Sequence, residues 1–418
     1  MTAPVNECQD LVCTRRRLLA GAGALGGLGA LEVAAPRMAF AAERRDTDLL
    51  LVVSLRGGAD GLSLVPPIAD HDYLAARPDI AVRPAQALRL DRQFGLHPAF
   101  APLMPYWHSR QLAVVHAVGD SDGTRSHFEA TDAMERGVNV SNREQTGWID
   151  RLMTARGLSP SDFPAMAVGT PPGSLRGGAP ALSLSSVSDL RVQVPRSATH
   201  RTEVALSQMY DGISGPNALA ARQTLDALRR LAPYRDQAYV PRRGVTYPTD
   251  SFGHGLSQIA QIARAGLGLE VATIDAAGGW DMHEALGTAT GGLMYRQVTS
   301  LANGLAAFAR DLGPLLARTT IVTVSEFGRR VQQNGSGGVD HGHGSAMLVL
   351  GGGIRGGRVY GRWPGLGGKQ LEHGDLRPTT DYRDVLGELV HRRLGGARIL
   401  GTVFPDHRPH ELGLARQR

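Results

Sequence analysis

Asp48-Leu-Leu-Leu-Val-Val-Ser-Leu55 runs almost unbroken by polar residues into Arg56-Gly-Gly-Ala-Asp-Gly61. Such a run lacks the polar alternation of a half-exposed strand. It reads as a strand buried on both faces that feeds a glycine-rich turn. Similar runs recur at residues 112–118, 165–169, 271–276, 319–324 and 346–350. Between them lie helical patterns at 98–109, 127–136, 145–156, 217–231, 252–267, 293–316 and 381–394. Short buried strands alternating with helices predict an α/β fold, a mainly parallel sheet sandwiched between helices. In such sheets the chemistry gathers beyond the carboxyl ends of the strands. Residues 170–200 and 233–250 depart from the pattern, being rich in Pro, Ser, Gly and Arg with short strand-like pieces. We expect a loop-rich cap insertion within 170–250, and a small antiparallel piece at 357–361.

The first residues read as a leader. Thr14-Arg-Arg-Arg-Leu-Leu-Ala20 precedes an uncharged Ala/Gly/Leu run and the small-x-small pattern Ala39-Phe-Ala41. This predicts a twin-arginine signal peptide over 1–41, a partnership with the twin-arginine export machinery, and a mature domain over 42–418 in the periplasm or at the cell surface. Glu32 and the glycines leave the run too short and too weakly apolar for a stable membrane span.

Both cysteines, Cys8 and Cys13, fall in that leader. The mature chain therefore has no disulfide and no cysteine-ligated metal. Any ion must be held by His and carboxylate groups, which suits zinc, manganese, iron, magnesium or calcium. The net charge is +6, yet the arginines are scattered and Lys369 is the only lysine. With no basic run and no interleaved aromatic patch, nucleic acid is not an expected partner, whereas a small anionic substrate is compatible. No haem attachment motif is present, and no cysteine remains beyond the leader, which speaks against a redox enzyme.

Four strand ends carry candidate chemistry. Asp60 is the first acid after the opening strand, and its alternative is a solvated Asp-Gly turn. Asp120-Ser-Asp-Gly-Thr-Arg-Ser-His-Phe-Glu-Ala130 offers Ser126 as a nucleophile, Arg125 as an anion partner and His127 as a base or ligand. Ser126 with Glu129 reads equally as a helix capping box. Asp281-Met-His283 lies in the glycine-rich turn after the 271–276 strand, where Trp280 could shield a bound ion. Finally Glu326 ends a strand, Arg329 could grip substrate oxygens, and Asn334, Asp340, His341 and His343 follow in a loop. Convergence at one sheet edge would assemble a metal site from Asp60, Asp281, His283, Glu326, His341 and His343, with Ser126, Arg125 and Arg329 around it. His97, His116 and His254 are read as packed, hydrogen-bonded side chains.

Taken together, Arg56-Gly-Gly-Ala-Asp-Gly-Leu62, Leu96-His-Pro98, Arg125-Ser-His-Phe128, Gly147-Trp148, Gly278-Gly-Trp-Asp-Met-His283, Ser325-Glu-Phe-Gly-Arg329 and Asp340-His-Gly-His-Gly344 resemble the family called domain of unknown function 1501. That family looks like a distant branch of the alkaline phosphatase and sulfatase superfamily. The resemblance implies an alkaline phosphatase-like fold and an exported, metal-dependent hydrolase of phosphate or sulfate esters. Its alternative is a non-catalytic periplasmic or cell-surface binding protein that keeps the fold. By the order of the superfamily motifs, Asp60, Ser126, Asp281 with His283, Glu326, and His341 or His343 would form the site. Phe327 stands where the resembling enzymes place a ligand. No Cys-x-Pro-x-Arg sulfatase signature occurs, which excludes a formylglycine nucleophile.

Overall fold

Leu49–Ser54 forms strand β1, and every one of its six residues is buried. The computed structural model describes residues 48–157, 164–192, 194–195, 198–235 and 237–418, so the expected leader lies outside the described residues. β1 pairs in parallel with β5 (Val271–Asp275) on one side, Leu50 opposite Val271, and with β6 (Thr319–Val324) on the other, Leu50 opposite Thr320. Neighbours on both edges and layers on both faces explain the unbroken apolar sequence of β1. Outward from β5 come β3 (Ala165–Val168) and β4 (Ala181–Leu184), both parallel. Outward from β6 comes β7 (Ser345–Gly351), antiparallel to β6 and to β2 (Leu112–Gly119). Two short strands, β8 (Val359–Tyr360) and β9 (Thr380–Asp381), pair in parallel with successive parts of β2. The result is a nine-stranded, mixed but mostly parallel sheet of order β8-β2-β7-β6-β1-β5-β3-β4, with β9 also on β2.

Helices cover both faces. On one face, α5 (Ser251–Arg264) and α6 (Leu293–Leu312) bury Phe252, Leu256, Leu305 and Phe308 against Leu51, Val53 and Ile321. On the other, α2 (Trp148–Ala155) and α7 (Tyr382–Leu394) bury Trp148, Ile149, Leu386 and Leu389 against Leu50, Val52 and Val322. The alternating residues of β1 thus serve two separate cores, as the two-residue period of a strand requires. Helix α1 (His127–Arg136) follows β2 and ends in Gly137 at φ +66°, the left-handed cap that glycine accepts most readily.

Some expectations are corrected by the topology. The piece expected to be antiparallel at 357–361 is β8, and it runs parallel to β2. Within 170–250 the helix expected at 217–231 is present as α4 (Pro216–Arg235), and the interval also holds β4 and a helix that was not expected, α3 (Thr199–Tyr210). His97 and His116 are buried and hydrogen bonded, His116 through Nε2 to the Val65 carbonyl at 2.9 Å, but His254 is exposed on α5.

Candidate metal centre

The carboxyl ends of β1, β2, β5 and β6 share one edge of the sheet, because β2 and β6 are each antiparallel to β7 and so point the same way. Four segments meet there. The turn after β1 approaches so closely that a Cβ on Gly57, at φ +114°, would stand 2.5 Å from the Asp281 nitrogen. Only glycine gives both that conformation and that clearance. The loop after β6 folds back as an isolated antiparallel bridge between Arg329 and His341. It clamps the loop after β5 through hydrogen bonds from Val339 N–H to the Met282 carbonyl, 3.1 Å, and from Asn334 Nδ2 to the His283 carbonyl, 2.7 Å.

Within that clamp three imidazoles converge. His341 Nε2 lies 3.0 Å from His127 Nε2 and 2.9 Å from His283 Nε2. Asp281 joins them, with Oδ1 2.9 Å from His283 Nε2 and 3.4 Å from His341 Nε2, and Oδ2 3.6 Å from His127 Nε2. Donor atoms of His127, Asp281 and His341 all lie within 4.8 Å of one another, a spacing that could hold a metal ion.

The outer nitrogens settle the tautomers. His341 Nδ1 donates to the Arg125 carbonyl at 2.9 Å, an atom that can only accept. Likewise His127 Nδ1 donates to Glu326 Oε1 at 2.8 Å and His283 Nδ1 to Asp340 Oδ1 at 3.1 Å. With a proton on each Nδ1, the Nε2 atoms of His127 and His341 are left as donors beside the Asp281 carboxylate, and His283 Nε2 lies next to them and to Arg329 Nη1 at 3.4 Å. Lone pairs at about 3 Å repel unless a cation lies between them, and the nitrogens around a four-coordinate ion with bonds of about 2.0 Å stand roughly 3.3 Å apart. Two nitrogens and one oxygen, from His127, His341 and Asp281, therefore form a donor set that could hold a metal ion, with His283 Nε2 beside it and also 3.4 Å from Arg329 Nη1.

Arg329 closes the base of the cluster. Only 1% exposed, it donates through Nε to the Gly58 carbonyl at 2.6 Å, through Nη1 to the Val339 carbonyl at 3.1 Å, and through Nη2 to the Gly57 carbonyl and to Asp281 Oδ1 at 2.5 Å. Burial works to raise the Asp281 pKa, but the hydrogen bond and charge of Arg329 outweigh it and hold the carboxyl below its ordinary value. His341 is held below the ordinary histidine range by burial, then by Arg329 and the two other imidazoles. Both shifts favour the forms that bind cations, a carboxylate and a neutral imidazole. The Phe327 ring, buried at 3%, packs 4.7 Å from His127 and 5.1 Å from His341 and serves as an apolar wall.

The chain belongs to the family described as protein of unknown function DUF1501, whose model matches residues 47–391. Among solved structures it is similar to a lipoteichoic acid synthase, LtaP, from Listeria monocytogenes, with 7% identity, TM-score 0.32, and 74% of this chain matched to 66% of that one. Similarity extends to the PsFucS1 sulfatase from Pseudoalteromonas sp., with 12% identity, TM-score 0.37, and coverage of 90% and 74%. It extends also to an alkaline phosphatase from the Antarctic bacterium TAB5, with 9% identity, TM-score 0.28, and coverage of 87% and 100%. Comparison with curated proteins gives no match.

The segments after four strands thus meet at one edge, with their candidate residues in distinct positions. Asp281 and His341 face a common point with His127, and His283 Nε2 lies beside them, 2.9 Å from both His341 Nε2 and Asp281 Oδ1. Glu326 stands behind His127 and also accepts the Gly57 N–H at 2.8 Å. Asp60, 2% exposed, is instead paired with the fully buried Arg77, whose guanidinium also donates to the Arg330 and Val331 carbonyls at 2.8 Å. Burial opposes ionisation of Asp60, yet Arg77 overrides it and keeps the pKa low. His343 points away, to Glu372 Oε2 at 3.1 Å and the Asp120 carbonyl at 3.1 Å. Ser126 is the N-cap of α1, its hydroxyl accepting from Glu129 N–H at 3.5 Å. Arg125 is held by Asp375 at 2.5 Å. His127, the donor outside the expected ligand set, had a signal: it follows a cap residue at a strand-to-helix turn, where the first helical side chain is fixed in direction.

Proposed function

We propose that this chain is an exported, metal-dependent hydrolase of small phosphate or sulfate esters. The observation that carries the reading is the convergence of three imidazoles and one carboxylate at a sheet edge open to solvent. The side chains of Asp281 and His283 are 45% and 43% exposed, so an ester group can reach the cluster from outside. His127, His283, His341 and Asp281 would hold a single ion, and three nitrogen donors favour zinc, manganese or iron over magnesium or calcium. Bound there, a divalent cation supplies Lewis-acid polarisation of an ester oxygen. The chain's own groups supply the rest. Glu326, Asp340 and the Arg125 carbonyl keep each imidazole in its ligating tautomer, and Arg329 keeps Asp281 ionised and oriented. The first turn of α1 adds unpaired N–H groups and a partial positive charge beside His127, favourable to an anionic ester. Ser126, one residue before His127, is one candidate nucleophile and water the other. The leader supports export by the twin-arginine machinery, and among the described residues no helix is long and apolar enough to cross a membrane.

A second reading, a non-catalytic binding protein that keeps the ion, is favoured by one observation: Arg329 spends its donors within the protein and Arg125 is paired with Asp375. Elemental analysis of the purified protein, followed by aryl phosphate, phosphodiester and aryl sulfate substrates with and without chelator, separates the two. Chelator-sensitive turnover supports the hydrolase. A stoichiometric ion with no turnover supports the binding protein, and no ion at all refutes both. Full turnover in Ser126→Ala would leave water as the nucleophile.

A further inference from the structure

A strongly basic cavity lies at the opposite edge of the sheet. A cavity of about 340 Å³ is lined by Arg110, Arg355, Arg358 and Arg416 together with Tyr360 and Gly413, and no acidic residue lines it. The arginines come from three stretches of chain: the segment entering β2, the turn from β7 to β8, and the C-terminal tail. Backbone hydrogen bonds lock these together, from Gly356 N–H to the Arg110 carbonyl at 3.0 Å, Gly357 N–H to the Leu112 carbonyl at 2.8 Å, and Arg355 N–H to the Leu414 carbonyl at 2.8 Å. Arg110 itself sits at φ +57°, a left-handed conformation usually left to glycine or asparagine.

Charge makes the cavity distinctive. Several buried or half-buried arginines of this chain find carboxylates, as Arg77 does with Asp60, Arg264 with Asp311 and Arg383 with Asp381. Around this cavity none of the four guanidiniums has an ion pair or a side-chain hydrogen bond among the described residues. Arg358 alone has an oriented neighbour, its guanidinium carbon lying 4.7 Å from the centre of the Tyr360 ring. Tyr360 is fixed in turn by donating to the Arg355 carbonyl at 2.6 Å. Four like charges gathered on a fixed frame repel one another, and an anion relieves that repulsion. Guanidinium forks match the paired oxygens of phosphate and sulfate groups.

We propose that this cavity binds a small, multiply charged oxyanion of the phosphate or sulfate type, of the size of pyrophosphate or a phosphorylated sugar. The volume lies at the lower end of the range for small-molecule pockets, about 300–1,000 Å³, which excludes a polymer lying along it. β2 separates the cavity from the histidine cluster. Its eight residues span about 25 Å, so the two sites are distinct.

The test is isothermal titration of inorganic pyrophosphate into the wild-type chain and into Arg355→Gln/Arg358→Gln, at matched ionic strength and matched metal content. Binding at the histidine cluster is common to both proteins and cancels in the comparison. The double variant is expected to bind at least about ten-fold more weakly, since each charge-assisted contact carries roughly that factor. An equal dissociation constant in the two proteins overturns the proposal, as does wild-type binding no tighter than that of chloride at the same ionic strength. Because both side chains are exposed, a thermal midpoint matching wild type serves to show that the variant is folded, and Arg416→Gln provides an independent variant on a different segment.

Discussion

Replacing Asp60 by Asn separates two roles that a carboxylate at this strand end could have. Asp60 and Arg77 are 2% and 0% exposed and joined by both carboxylate oxygens. Removing one charge of such a buried pair leaves the other uncompensated, at a cost of about 3–5 kcal/mol. Arg77 keeps its two carbonyl acceptors at 2.8 Å, and the introduced amide would still offer one oxygen, so the lower end, about 3 kcal/mol, is expected. That corresponds to a folding constant smaller by on the order of a hundredfold. For a urea slope of about 3 kcal/mol/M the midpoint falls by roughly 1 M. Elemental analysis of the folded variant should find the same metal stoichiometry as wild type, because Asp60 contributes no donor to the histidine cluster. Loss of the ion with an unchanged urea midpoint would refute the reasoning and make Asp60 a ligand.

Three further outcomes follow from the same geometry. Glu326→Ala removes the acceptor of His127 Nδ1 and should weaken metal affinity by about 10–100-fold, read by competition with a fluorescent chelator. Metal should raise thermal stability by roughly 2.7 kcal/mol at a hundred times its dissociation constant, and the increment should vanish in His341→Ala; an equal increment there would place the ion elsewhere. Asp384 on α7 accepts from His407 Nε2 at 2.7 Å and from the His410 N–H at 2.8 Å, and though burial opposes it these bonds hold its pKa below the ordinary value. The stabilisation from a depressed carboxylate is present above its unfolded pKa and lost as pH falls through the folded one. Asp384→Asn should therefore be less stable than wild type near neutrality, and the gap should close below about pH 4; a gap independent of pH would refute the linkage.

The sheet was legible where burial on both faces made a strand an unbroken apolar run. All six such runs, from β1 to β7 with β4 excepted, appear in the structure. β4 reads Ala181-Leu-Ser-Leu184 and is half-buried at alternate residues, so within a Ser/Pro-rich stretch it carries little contrast. β8 and β9 are two residues each, too short to carry a period at all. Their parallel sense is set by the crossing of β2, which no local pattern encodes. Helix α3 was missed for a related reason: it buries no residue, so no apolar stripe marks it.

The site was legible in its chemistry but not in its roles. That acids and imidazoles would collect beyond the strand ends follows from sheet topology. Which of them face the centre and which stand behind depends on a single side chain's reach. Glu326 and His127 differ in role only because the Gly57 N–H and the His127 Nδ1 both draw the same carboxylate oxygen backward. Asp60 was claimed by Arg77, seventeen residues on and without a motif to announce it. In the sequence the cap reading of Ser126 competed with a nucleophile reading, while His127 was read as a base or ligand, and the cap and the ligand readings are compatible. The cap fixes the first turn of α1, and a fixed first turn is what lets the next residue, His127, hold one ring nitrogen on Glu326 and the other on the common point. Capping and ligation are there a single device, so Ser126→Gly, which keeps most of the cap's stability, should disturb the ion far less than Ser126→Val, which removes the hydroxyl and adds bulk.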